Sequence, residues 1–237
     1  MNPDGATLDG ARVLVTGASR GYGAAIARAL SAQGAHLVLT ATDPAHLGRI
    51  AQQCADDGSP CNLVALDLAA PASIDAAADE VARAVPRLEG VVMNAGVLGP
   101  MGPLDAADPD AIARAIDVDF TGQVRLLQRL SPLIADRAGL VLVTSGAAGR
   151  AGYGAYALGK AGLQALGLML REEWAPRGIR VVSVNPGPVR TDMRAEAHPG
   201  EDPATVPPPA ERVAPVIAVL EGADPGPLVQ ASEWGLA

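Results

Sequence analysis

Short runs of valine, leucine and isoleucine recur along the chain, separated by longer segments whose apolar residues return with helical spacing. Runs of strand length occupy residues 12–16, 36–41, 62–66, 90–93, 140–144, 179–184 and, more weakly, 228–231. Helical periodicity covers 22–33, 44–56, 73–85, 109–135, 156–174 and 209–220. Strands that are apolar throughout, not alternating, are buried on both faces as in a parallel sheet. A parallel strand must return through a crossover, which the intervening helices supply. The pattern therefore predicts an α/β fold: a single doubly wound (Rossmann-type) domain over residues 1–237, a parallel sheet of about seven strands with helices on both faces. Residues 198–209 hold five prolines and several acidic residues. That stretch is too short to separate domains, and is expected as a surface loop of one domain within a Pro-rich segment at about 190–210.

Composition narrows the function classes. Hydrophobic residues make up 49% of the 237 and charged residues 19%, enough to fill a core. The net charge of −8 and the lack of a basic cluster speak against binding nucleic acid or an anionic membrane surface. Residues 1–12 carry no leader pattern, and the apolar stretch at 161–170 falls far short of the roughly 20 residues a membrane span needs. Cys54 and Cys61 match no zinc spacing, so two free thiols, no metal and a cytoplasmic protein are expected. The basic residues divide unevenly, with 17 arginines and a single lysine, Lys160.

After the first strand comes Thr16-Gly17-Ala18-Ser19-Arg20-Gly21-Tyr22-Gly23, leading directly into a helix. Glycines allow a tight turn and close backbone approach to a ligand, and the helix N-terminus offers free N–H groups to a pyrophosphate. The spacing G-x-x-x-G-x-G differs from the usual dinucleotide fingerprint, so alone it is weak. The same segment also matches the hydrolase elbow G-x-S-x-G at Ser19. Against that stand a single preceding strand and a candidate base, His198, in a Pro-rich loop. His36, His46 and His198 are all expected to be structural or solvated.

A second constellation is Tyr156-Ala157-Leu158-Gly159-Lys160, at the start of a helix. Residues four apart share a helical face, so phenol and ammonium project into one space. A phenol is a poor base at neutral pH, and a fixed neighbouring cation favours its ionised form. A compact ammonium can also donate to hydroxyls such as those of a ribose, which the planar guanidinium does less well.

With these residues in hand, the chain resembles the short-chain dehydrogenase/reductase family from residue 12 to about 229. Thr16–Gly23 is similar to its cofactor-binding glycine motif, implying contacts from Gly17, Ser19, Arg20, Gly21, Tyr22 and Gly23. Asp67-Leu68 resembles the pair at the adenine ring. Asn94-Ala95-Gly96 resembles the NAG motif supporting sheet and cofactor, and Tyr156 and Lys160 the YxxxK pair. The segment from Asn185 to Thr191 resembles the PG motif, implying contacts from Pro186, Gly187 and Val189 and a nicotinamide contact from Thr191. The resemblance implies hydride transfer between nicotinamide and a carbonyl or secondary alcohol of a small molecule, with Tyr156 moving the proton. Lys160 would hold the nicotinamide ribose, and a serine would polarise the substrate oxygen. It also implies a homodimer or homotetramer through the helices at 109–135 and 156–174.

Two positions depart from the family pattern. The family serine aligns with Val143; Ser145 takes its place if the following loop is two residues shorter, whereas in the other alignment Gly146 stands there and no hydroxyl remains. Asp119 replaces the family asparagine of the catalytic tetrad, and a carboxylate near Lys160 would draw on its charge. At the end of the second strand, the acidic position is Ala41 and the neighbouring basic position Thr42, while Asp43 precedes Pro44 as a helix cap. Lack of an acid at 41, with Arg20 in the glycine turn, favours NADP(H) over NAD(H). A weakly active or inactive NAD(P)-binding sensor on the same scaffold is the alternative; it would need the glycine turn but not Tyr156.

Overall fold

A computed structural model of the chain describes residues 7–235. The N-terminal stretch without a leader pattern lies partly outside them, in 1–6. In chain order the main elements are β1 (Arg12–Val15), α1 (Gly21–Ser31), β2 (His36–Ala41), α2 (Gly48–Asp56), β3 (Cys61–Ala65), α3 (Pro71–Ala84) and β4 (Leu88–Met93). There follow α4 (Pro109–Ile116), α5 (Gly122–Leu130), β5 (Ile134–Val143), α6 (Gly154–Glu173), β6 (Arg180–Asn185), α7 (Asp192–Ala197), α8 (Ala214–Leu220) and β7 (Leu228–Gln230). The seven strands pair in parallel, in the order β3-β2-β1-β4-β5-β6-β7. Winding reverses between β1 and β4. The loops leaving the carboxyl ends of these strands diverge there and open a crevice.

Burial on both faces follows from the continuous apolar runs. In β1, Val13 and Val15 belong to one apolar cluster with Ile26, Leu30 and Val216, whereas Leu14 points to the other with Val91, Leu126 and Leu140. Fully burying each such side chain contributes about 1.5–3 kcal/mol, which is why the sheet centre tolerates few polar groups. Among the described residues no helix is long and apolar enough to cross a membrane.

Several boundaries differ from those the sequence suggests. The helix expected over 109–135 is three pieces: α4, a π-helical turn at Asp117–Thr121, and α5. The turn carries the Gly122 amide to the Asp117 carbonyl, and Pro132, which lacks a donor N–H, prevents α5 from continuing. The rest of the predicted helix opens β5, which starts six residues early. A bulge follows, for Leu88 pairs with Ile134 but Gly90 with Gly139. Its exposed Asp136 and Arg137, the latter with φ 63°, hide the strand from a hydrophobic count. The supposed loop at 198–209 is preceded by α7, whose N-cap is Thr191; its Oγ1 accepts from the Arg194 amide at 3.2 Å.

Candidate active site

The glycine turn between β1 and α1 is fixed from beneath by β4. Thr16, fully buried, accepts through Oγ1 from the amides of Asn94 and Ala95 at 2.9 and 3.0 Å. Asn94 returns the bond: its Nδ2 donates to the carbonyls of Thr16 at 2.9 Å and Gly17 at 3.1 Å. Gly17 has φ +64°, and a side chain there would stand 2.9 Å from Ala95 Cα; a Cβ on Gly23 would meet the Gly17 carbonyl. The glycines are thus required by the fold as much as by a ligand. The start of α1 has no side-chain cap, so its first amides face the crevice without a protein acceptor.

One cavity of about 560 Å³ runs from this turn to α6. Gly17, Ser19, Arg20, Gly21, Tyr22 and Gly23 line it, as do Thr42, Asp67 and Leu68 at one end. Asn94, Ala95 and Gly96 line its middle, with Ser145, Tyr156, Lys160, Pro186, Gly187, Val189 and Thr191 beyond. The Tyr22 side chain turns away, donating its hydroxyl to the Arg212 carbonyl at 2.7 Å, and burial pushes the phenol further up from its ordinary range. Arg20 is exposed and pairs with Asp192 of α7 at 3.3 Å, while a side chain on Gly21 would touch the Thr191 methyl. Asp43 is engaged as a cap, accepting from the Ala45 amide at 2.9 Å. A chain of glycines, unpaired amides and a continuous crevice fits a dinucleotide.

Tyr156 and Lys160 lie on one face of α6. The Lys160 Nζ sits 5.6 Å from the Tyr156 ring centre and donates to the Val143 carbonyl at 3.0 Å. Only 3% of Lys160 is exposed. Gly96 passes directly over it: a Cβ there would stand 3.2 Å from Nζ and 2.9 Å from Asp119 Oδ1. Asp119 itself does not line the cavity; it is fully buried in the π-helical turn beneath Gly96. Its Oδ1 accepts from the Val97 amide at 2.8 Å, whereas Oδ2 has no partner. Burial pushes this carboxyl up to about 6, outweighing the opposing pull of the Lys160 charge and the Val97 hydrogen bond.

The two hydroxyls before the tyrosine are not equivalent. Thr144 is buried and turned to the Lys160 carbonyl at 3.3 Å. Ser145 is half-buried in the cavity wall, its Oγ accepting from the Ala147 amide at 3.1 Å and keeping its proton to donate. Beyond β6, the Asn185 Oδ1 accepts from the Gly187 amide at 3.0 Å and so holds the turn at Pro186-Gly187.

One residue of the site, Gln123, escaped the sequence reading. Gln123, one turn after Asp119, donates to the carbonyls of Ala95 at 3.0 Å and Asp119 at 3.2 Å, tying the π-helical turn to the cavity floor. Nothing local in the sequence marks it. The loops at 97–103, 149–153 and 193–209 are the segments the sequence offers as shaping a substrate pocket. From them His198, expected to be structural or solvated, lines the cavity with Tyr153, whose hydroxyl lies 3.4 Å from its Nε2. Arg150, Met193 and Arg194 complete this end. Their common neighbourhood arises from β5, α6 and β6 converging, not from any motif.

Chemically, the crevice offers a phenol and an ammonium side by side, a serine hydroxyl, and a phosphate-sized cradle of amides. Comparison with known proteins agrees. A family model described as short chain dehydrogenase matches residues 11–202. The oxidoreductase YciK of Escherichia coli K12 is 35% identical over 219 residues, covering 90% of this chain and 86% of its own. A short chain dehydrogenase from Shigella flexneri complexed with NADP superposes with a TM-score of 0.89 at 31% identity, over 96% of this chain and 99% of the other. Another, from Escherichia coli CFT073 complexed with NADPH, gives 0.88 at 33% identity, over 97% and 99%. Parallel sheet, glycine turn, tyrosine–lysine helix and sequence likeness together assign the chain to the short chain dehydrogenase family, as an oxidoreductase acting between CH–OH and C=O.

Proposed function

We propose that the protein interconverts a small carbonyl compound and its secondary alcohol with NADP(H), using Tyr156 as the proton donor and acceptor. The observation that carries this is the shared cavity: Tyr156 and Lys160 open into the same crevice as the glycine turn. A bound nicotinamide supplies or accepts the hydride. During reduction Tyr156 Oη donates its proton to the developing alkoxide, and during oxidation it removes the hydroxyl proton. Lys160, whose Nζ is fixed by the Val143 carbonyl 5.6 Å from the Tyr156 ring centre, has further N–H groups for ribose hydroxyls. Ser145 Oγ donates to the substrate oxygen. Asp119 acts at one remove, positioning the Gly96-Val97 backbone over Lys160.

NADP(H) is preferred to NAD(H) because no carboxylate is free at the end of β2: position 41 is alanine and Asp43 is occupied as a cap. The relatives complexed with NADP and NADPH agree with that choice. Phe120 of the π-helical turn, Val124 of α5, and Leu166 and Met169 of α6 form an apolar groove, suited to a homodimer or homotetramer in the cytoplasm. The test is NADPH fluorescence on titration, followed by absorbance at 340 nm with a panel of ketones and aldehydes. Saturable binding with turnover of at least one carbonyl is expected; binding without turnover across a broad panel would favour the sensor.

A further inference from the structure

Four permanent cations line the cavity, and three are already engaged. Arg20 pairs with Asp192, Arg194 makes two hydrogen bonds of 2.6 Å to Glu201, and Lys160 is held by the Val143 carbonyl. Arg150 alone of the four has no side-chain partner among the described residues. Its backbone is nevertheless fixed. The Arg150 amide donates to the Ala147 carbonyl at 2.9 Å, and the Gly149 amide to Ala157 on α6 at 3.1 Å. On its other side Gly152 accepts from the Gly102 amide at 2.9 Å, which joins the two loops walling this end. Gly149 and Gly152, with φ of +69° and +85°, make the tight turn that carries Arg150.

The surroundings suit an anion. The carboxylates lining the cavity are Asp67, at the far end, and Asp192, already paired with Arg20. The same cavity is lined by Tyr153 and His198, whose hydroxyl and Nε2 lie 3.4 Å apart, and by the apolar side chains of Val97, Leu98 and Met193. Arg150 is solvent-exposed on the cavity wall, and its planar guanidinium fork fits a carboxylate bidentately.

We infer that the substrate carries a carboxylate that pairs with Arg150 while its carbonyl group sits at Tyr156, an inference that rests on the oxidoreductase function proposed above. The test uses NADPH oxidation with linear oxo-acids of graded length, each matched to its methyl ester, alongside neutral ketones. The best acid is expected to exceed its ester by about tenfold or more in kcat/KM, chiefly through KM. Arg150→Gln should remove that preference, lowering kcat/KM for the acid to about that of its ester. Equal kcat/KM for acid and ester, or an Arg150→Gln loss shared by both, would overturn the inference while neutral-ketone turnover kept the proposed function intact. If nothing is turned over, the proposed function fails, and calorimetric titration of the same acids into protein saturated with NADP⁺ decides the anion site: no binding, or binding unchanged in Arg150→Gln, overturns it.

Discussion

Replacing Asp119 by asparagine isolates the cost of a buried charge. The carboxyl is fully buried, one oxygen lacks any partner, and it titrates near 6 instead of 3.8. Burial is the main cause, so the neutral acid is the form the fold favours. Two effects act when asparagine is introduced. The amide still accepts from the Val97 N–H, but leaves a buried NH₂ without an acceptor, at a cost of about 1–3 kcal/mol that does not vary with pH. Removing the carboxylate also removes a penalty that is absent below pH 3.8, develops as pH rises through 6, and is complete above it. That penalty is about 3 kcal/mol at 1.36 kcal/mol for each factor of ten in proton affinity. The difference between the two differences cancels the constant amide term. Urea unfolding of both proteins from pH 4 to pH 8, at one protein concentration and followed by tryptophan fluorescence, should therefore show Asp119→Asn gaining about 2 kcal/mol on the parent across that range, the first part of the penalty having developed by pH 4. A stability gap that stays within about 0.5 kcal/mol over the whole range would refute the desolvation argument. Activity of the same variant should be intact or raised, because the Val97 hydrogen bond survives; a loss beyond about tenfold, or 1.4 kcal/mol, would contradict this.

Lys160→Arg keeps the charge but not the fit, since Gly96 leaves little space above Nζ and the wider guanidinium cannot sit where Nζ donates to the Val143 carbonyl; it should fold and lose about a hundredfold or more in kcat, by steady-state NADPH consumption. Ser145→Ala should lower kcat by about tenfold to a thousandfold, whereas Thr144→Val, whose hydroxyl faces the Lys160 carbonyl, should change kcat little and stability by about 1 kcal/mol. Met169→Glu, placing a charge in the apolar groove beside Phe120, should shift the mass measured by sedimentation toward the monomer; an unchanged oligomer would remove that face as the subunit contact.

The parts of the fold visible in the sequence are those whose causes are local. Strands apolar throughout, the glycine turn and the Tyr156–Lys160 spacing each rest on residues close together in the chain. What stayed hidden depends on partners elsewhere. The early start of β5 was masked by the polar bulge at Asp136 and Arg137, held by Arg177 from another loop. The π-helical turn follows from Asp119 and Phe120 pressing on Gly159 and Gly162 of α6, a contact between segments forty residues apart. Helix α7, capped by the Thr191 side chain, is only six residues long, and the prolines that follow it mask its periodicity. The polar end of the cavity, at Arg150, Tyr153 and His198, has no motif because two segments far apart in the chain bring it together.

The central claim is that Tyr156 moves the proton in a site built to hold NADP(H), and Tyr156→Phe tests it most directly. The ring and its packing remain while one oxygen is lost. Turnover of the best carbonyl, measured at 340 nm, should fall by about a hundredfold to ten-thousandfold, with NADPH affinity by fluorescence unchanged within about twofold. Turnover near that of the parent would contradict the account.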